Sequence, residues 1–163
     1  MKIKFKKLSE TAKIPSPSRK GDIGFDLCCD EDVVLQPGST YKIKTNLQLA
    51  DMPVCDHSGN EIFLKIEGRS GLASKGIFPS GGIIDPNYRG EIGVVLNTVS
   101  NPGWTNELGT SSSVYHLKKG DRIAQLLVYK VIGSGFEQGV TMMEDDIVTE
   151  TNRGTAGFGS SGR

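Results

Sequence analysis

The chain has 163 residues, with 19 basic side chains against 19 acidic ones. That length suits one domain with a core large enough to do without disulfide staples, and the even charge leaves no overall field to draw it onto nucleic acid. No apolar run approaches the length of a membrane span, so composition points to neither a membrane nor a direct nucleic-acid partner.

The start, Met1 to Lys7, is basic but lacks the apolar stretch and small-residue cleavage site of a signal peptide. It reads as a cytoplasmic, intracellular chain, with a nuclear or viral setting left open. Cys28 and Cys29 are neighbours and Cys55 stands apart, so no disulfide framework is visible. Cys55-Asp56-His57 has no second Cys/His cluster to complete a tetrahedral zinc site, and neither His57 nor His116 sits in a nucleophile context.

Twenty-one glycines and seven prolines cut the chain into short segments, the signature of many strands joined by tight turns. Lys2 to Lys6 alternates, with Ile3 and Phe5 on one side. Gly24 to Cys29 follows, then Val33-Val34-Leu35 ending at the turn Gln36-Pro37-Gly38. Tyr41 to Leu49 is the cleanest period-two run, pointing Tyr41, Ile43, Thr45, Leu47 and Leu49 one way. Glu61 to Glu67 continues it through Ile62, Leu64 and Ile66. Ser70 to Lys75 predicts one short helix or turn with Ser70 near its N-cap.

Gly81 to Asn97 predicts a β-hairpin, with Asp85 at its tip and Tyr88 folded back beside it, because Pro86 and Asn87 are good turn residues. Residues 99–113 are polar and turn-rich and read as an inserted loop. Val114 to Leu117 and the apolar run Ile123 to Ile132 complete the strands. The last residues, 152–163, are Gly/Ser-rich with one aromatic, Phe158, and read as a flexible arm. The expectation is an all-β sandwich, jelly roll or barrel, with a body over 1–151 and the arm over 152–163.

Five short segments carry candidate chemistry. Asp26 is an acid in an otherwise apolar strand. Arg69-Ser70-Gly71 combines a guanidinium, a hydroxyl and free backbone N–H groups, a phosphate cradle. Gly82-Ile83-Ile84-Asp85 to Tyr88-Arg89 gathers a carboxylate, a ring and a guanidinium at one turn. Gln125 interrupts a buried-looking strand. The tail, Arg153 to Gly162, holds glycines for close backbone approach, an arginine and hydroxyls for oxyanions, and Phe158 to stack on a flat base. Each has a plainer reading: a surface-facing Asp26, an ordinary helix start at Arg69-Ser70-Gly71, a solvated turn with an exposed Asp85, a Gln125 that satisfies a backbone group, a linker at the tail.

In this order the segments resemble the five motifs of the trimeric deoxyuridine triphosphatases, or dUTPases. They run from Asp22 to Leu27, through Arg69-Ser70-Gly71-Leu72-Ala73, Gly82-Ile83-Ile84-Asp85 to Glu91 and Gly120-Asp121-Arg122-Ile123-Ala124-Gln125-Leu126, to Arg153-Gly154 and Gly157 to Gly162. The resemblance implies a jelly-roll-like β fold (the β-clip), one short helix and a homotrimer with shared active sites. It implies hydrolysis of dUTP to dUMP and pyrophosphate with Mg2+. Asp85 then corresponds to the carboxylate that activates water, and Tyr88 to the ring beneath the deoxyribose. Gly82, Ile83 and Ile84 correspond to the backbone that reads uracil, and Phe158 to the ring that covers it. Arg69, Ser70, Gly71 and Gln125, with Arg153, Ser160 and Ser161 from the arm, correspond to the phosphate-contacting set. Asp26 corresponds to the acid that holds Mg2+ through water.

Gly68 stands where the family usually has proline, Asp22-Ile23-Gly24 replaces the commoner Ala-Gly, and Asn87 replaces a frequent acid. A protein partner docked on residues 99–113 and a mere lengthening of that loop both remain open. So does dCTP deamination on a related fold, which the Arg69 to Ala73 segment disfavours.

Overall fold

The computed structural model describes residues 1–100, 103–105 and 112–131. The chain divides into two units, Met1–Ile132 and Gly133–Arg163, of which the second, with the arm expected at 152–163, lies outside the described residues. Among the described residues are ten strands and a single-turn helix, α1 (Ser70–Ala73). The strands are β1 (Lys4–Lys7), β2 (Phe25–Cys28), β3 (Val33–Leu35), β4 (Thr40–Asp51), β5 (Ile62–Glu67), β6 (Ile77–Ser80), β7 (Ile83–Ile84), β8 (Glu91–Thr98), β9 (Tyr115–Leu117) and β10 (Arg122–Lys130).

Two four-stranded sheets, ordered β1-β4-β8-β6 and β2-β10-β5-β7, with a small β3-β9 pair, make a jelly-roll-like β fold. Their inner faces follow from period-two alternation. Ile43, Thr45, Leu47 and Leu49 of β4 are buried as predicted, as are Ile62, Leu64 and Ile66 of β5 and Ile92, Val94 and Leu96 of β8. A fully buried Leu or Ile contributes about 1.5–3 kcal/mol of transfer free energy, so these strands hold the sandwich together. The one buried hydroxyl among them, on Thr45, donates to the Ile92 carbonyl and so carries no unmade bond into the core.

Two departures from regular pairing aim side chains. In β10, register slips between Arg122 and Ala124 against β2, so Ile123 and Ala124 are buried in succession and Gln125 comes to lie opposite Asp26. That is the signature of a β-bulge. In β4, register slips between Lys44 and Gln48 around Asn46, whose φ of 49° is left-handed, a conformation asparagine tolerates better than most residues.

The predicted hairpin over Gly81 to Asn97 does not form. β7 pairs with β5 in one sheet and β8 pairs with β4 and β6 in the other, so Asp85 to Tyr88 is a turn that crosses between sheets. The cause is local. Ile66 N–H donates to the Gly82 carbonyl (2.8 Å) and Ile84 is buried opposite Leu64, which fixes the first arm to β5. The turn itself is as expected, closed by Tyr88 N–H to the Asp85 carbonyl at 3.0 Å with Pro86 in its second position.

Candidate active site

Because the arms of the turn belong to different sheets, their facing edges have no strand partners among the described residues. β7 is the outer strand of its sheet. On β8, the strand β6 pairs only from Val95 to Thr98, so the edge at Glu91 to Val94 on that side is open among the described residues. Between them lies a cavity of about 160 Å³, lined by Gly81, Ile83, Ile84, Asp85, Tyr88, Glu91, Gly93 and Lys42. A cavity of about 150 Å³ is known to take benzene, so this one has room for a single six-membered ring. Open strand edges offer that ring backbone donors and acceptors.

Asp85 is exposed at the cavity, and its carboxylate makes no ion pair among the described residues. Tyr88 is folded back as expected. Its phenol donates to the Glu91 carbonyl at 3.1 Å, and the ring lies where a Cβ on residue 90 would collide with it, which is why glycine stands there. Arg89 behaves otherwise. Its guanidinium donates to the carbonyls of Pro86 (2.7 Å) and Tyr88 (2.9 Å), bracing the turn instead of lining the cavity.

The second concavity, an open groove of about 830 Å³, lies where β2, β10 and α1 meet. Arg69, Ser70, Gly71, Gln125 and Asp26 all line it, so four of the sequence segments do not share one place: three make the groove and one makes the cavity. The N-cap of α1 is Arg69, with no side-chain cap, and the first N–H groups of a helix have no intrahelical acceptor, so Ser70 and Gly71 present theirs outward. Gln125 Nε2 donates to the Gly68 carbonyl at 2.9 Å, which ties the loop ahead of α1 to β10.

Asp26 is the hub of the groove. Its Oδ1 is 3.0 Å from Arg69 Nε, and its Oδ2 accepts from Ser18 Oγ and lies 3.4 Å from Arg122 Nη1. Only 13% of its side chain is exposed, so these pairs are screened less than surface ones. Arg122, Ser18 and Arg19 also line the groove, although sequence reasoning gave them no role. Arg122 stands in the fourth motif but at the outermost position of β10, where no periodicity marks it. Three arginines thus face Asp22 and Asp26 around an open basin, an arrangement suited to a polyanion.

Cavity and groove open on opposite sides of β5. Leu64 pairs with Ile84 and Glu67 with Gln125, on the two sides of the same strand. Standard strand rise and spacing then separate the Cα atoms of Asp85 and Gln125 by about 16 Å.

Among the described residues no group of three His, Cys, Asp or Glu side chains is placed to cage a metal. Burial pushes the Cys28 and Cys29 thiols above their ordinary pKa, and Cys29 Sγ donates to the Lys118 carbonyl, so both are poor nucleophiles. No helix among the described residues is long and apolar enough to cross a membrane. Arg153, Phe158, Ser160 and Ser161 lie outside the described residues, as does part of the 99–113 loop.

Residues 10–162 match the dUTPase family. The deoxyuridine 5'-triphosphate nucleotidohydrolase of Picosynechococcus sp. is 39% identical over 165 residues, covering 99% of both chains. The enzyme of that name from Vaccinia virus (strain Copenhagen) is 33% identical over 160 residues, covering 98% of this chain and 92% of its own. The Staphylococcus bacteriophage 80alpha dUTPase, solved with dUPNHPP, shares the fold with a TM-score of 0.72 at 27% identity over 99% of each chain. With matches that span nearly its whole length, the chain belongs to the dUTPase family.

Proposed function

We propose that the chain hydrolyses dUTP to dUMP and pyrophosphate by water attack on the α-phosphorus, keeping uracil out of DNA and supplying dUMP for thymidylate synthesis. The observation that carries this reading is a ring-sized cavity between two strand edges that are open among the described residues, with a carboxylate beside it that makes no ion pair among them. The outer side of β7, with Ile83 and Ile84 beside the Gly82 that docks on Ile66, suits the edge of uracil, and the Tyr88 ring suits a sugar without a 2′-hydroxyl. Asp85 takes a proton from the attacking water, for which a carboxylate needs a hydrogen bond of about 2.6–3.2 Å and a free lone pair. In the groove, Arg69, Ser70, Gly71 and Gln125 bind phosphate oxygens, and Arg122 joins them.

The donors of the groove suit a magnesium ion that arrives hydrated with the triphosphate, and not a resident one. Both Asp26 oxygens already face Arg69, Arg122 and Ser18, which leaves contact through water, the usual manner for Mg2+ beside nucleotide phosphates. Asp26 is the residue that would hold it, and the ion would supply positive charge at the phosphate oxygens. The chain's own residues do the remaining work: they orient the nucleotide, hold its charge and position one water.

The gap of about 16 Å along and across β5 supports an assembly in which the cavity of one copy faces the groove of another, as in a homotrimer with shared sites. Phe158, Arg153, Ser160 and Ser161 of the arm then close over base and phosphates. We place the enzyme in the cytoplasm.

The test is a screen of nucleoside triphosphates for pyrophosphate release, with and without magnesium. Release from dUTP, dependent on magnesium and far above that from dCTP, dTTP or UTP, is expected. Ammonia from dCTP, or equal release from every nucleotide, would overturn the reading.

A further inference from the structure

One wall of the cavity comes from outside the motif segments. Lys42 of β4 lies opposite Val95 in register, two residues farther from the turn than Gly93. Its side chain runs across Gly93: a Cβ built there would sit 2.8 Å from Lys42 Cε and 3.2 Å from Lys42 Cγ. Any other residue at 93 would displace that stem, so the glycine clears the path by which Lys42 reaches the cavity it lines.

The ammonium has no carboxylate within ion-pair distance among the described residues, whereas Lys4, Lys65, Lys119 and Lys130 each have one. The nearest acids of the cavity wall are otherwise placed. Glu91 Oε1 accepts from the Asn46 N–H at 3.3 Å, and Asp85 belongs to the turn. Arg89 is spent on the carbonyls of the turn, so Lys42 is the one cation among the described residues lining this cavity. Its stem enters from the Val95 side and passes over Gly93 in the direction of the turn.

We propose that Lys42 is a specificity-determining residue that donates a hydrogen bond to a ring carbonyl of the bound pyrimidine. This rests on the dUTPase reading above and adds a selection to it. An ammonium has three donors and no acceptor. Uracil offers a carbonyl oxygen at ring position 4, where cytosine carries an amino group that also only donates. Lys42 therefore favours uracil and meets cytosine donor to donor.

The experiment compares kcat/KM for dUTP and dCTP, by pyrophosphate release, in the wild type, Lys42→Met and Lys42→Arg. Methionine keeps the length of the stem and removes the donor. The dUTP-to-dCTP ratio is expected to fall about tenfold in Lys42→Met, mostly through the KM for dUTP, and to recover in Lys42→Arg. Binding of dUMP against dCMP is expected to narrow by the same factor. An unchanged ratio overturns the proposal. So does an equal fall for both nucleotides, which would make Lys42 a general attractor of phosphate. A wild type that releases no pyrophosphate from dUTP overturns the activity instead, and the dUMP against dCMP contrast then decides Lys42 by itself.

Discussion

Asp85 and Asp30 are both carboxylates on this chain, and their surroundings assign them opposite work. Asp85 is exposed, unpaired among the described residues and beside a ring-sized cavity. Removing its basicity with Asp85→Asn should lower kcat by about a thousandfold while leaving dUMP affinity within a few-fold, because the groove that holds charge is elsewhere. Rapid-quench turnover and calorimetric binding measure the two effects, and wild-type turnover in the variant would refute the role.

Asp30 is buried, with 3% of its side chain exposed. Ser9 Oγ and Asn46 Nδ2 donate to its Oδ2, and Lys119 Nζ lies 3.5 Å from its Oδ1. Burial alone would raise its pKa, but the hydrogen bonds of Ser9, Thr11 and Asn46, with the Lys119 charge, outweigh it and hold the carboxyl well below the usual range. A folded-state pKa below the unfolded one gives stability that is complete above the unfolded value of about 3.9 and lost as pH falls through the folded value. Asp30→Asn should cost about 2 kcal/mol at neutral pH, and its urea midpoint should decline less than the wild type's between about pH 5 and pH 2. Parallel declines would show that Asp30 is not the group responsible.

At the scale of elements, Trp104 ties the inserted loop to the body. Its Nε1 donates to the Lys75 carbonyl at 2.7 Å, its ring meets Tyr115 edge-on at 5.7 Å, and Lys75 Nζ lies 4.8 Å from the centre of the Tyr115 ring. Lys75 follows α1 closely, so the indole anchors the far side of the segment that presents Ser70 and Gly71. Trp104→Ala should cost about 3–4 kcal/mol in urea unfolding, whereas Trp104→Phe should cost about 1 kcal/mol for the lost N–H bond. Equal costs would mean that packing contributes nothing there.

Trp104 also shows where the sequence was silent. A lone tryptophan in a polar, turn-rich stretch looks like loop, and its partners at residues 75 and 115 are distant in the chain. The strands were legible because alternation in β4, β5 and β8 is nearly unbroken, and one inner face dictates it. The hairpin misled for the same reason: turn chemistry at Pro86 predicts the bend but not which strand each arm will pair with. Sheet membership is a tertiary choice, here made by Gly82 and Ile84 docking on β5. The bulge in β10 was equally hidden, since Ile123-Ala124 reads as an ordinary apolar run. Yet it is what turns Gln125 toward Asp26.

At the scale of the whole molecule, one fold positions two halves of a site that its own geometry keeps apart. The motif order exposed Asp85 and Tyr88 of the cavity and Asp26, Arg69 and Gln125 of the groove, but not Lys42, Ser18 or Arg19, nor the distance between the two. That distance follows from β5 being shared, with β7 on one side and β10 on the other. On the proposed reading, a carboxylate on the β7 side and arginines on the β10 side become a single site when two copies meet. The most direct measurement mixes two inactive proteins, Asp85→Ala and Arg69→Ala, after subunit exchange. Each copy then lacks a different half, and random assembly of equal amounts should restore about a quarter of wild-type dUTP turnover, since one pairing in four joins an intact cavity to an intact groove. A mixture that stays as inactive as its components, with exchange of subunits verified, would contradict the account.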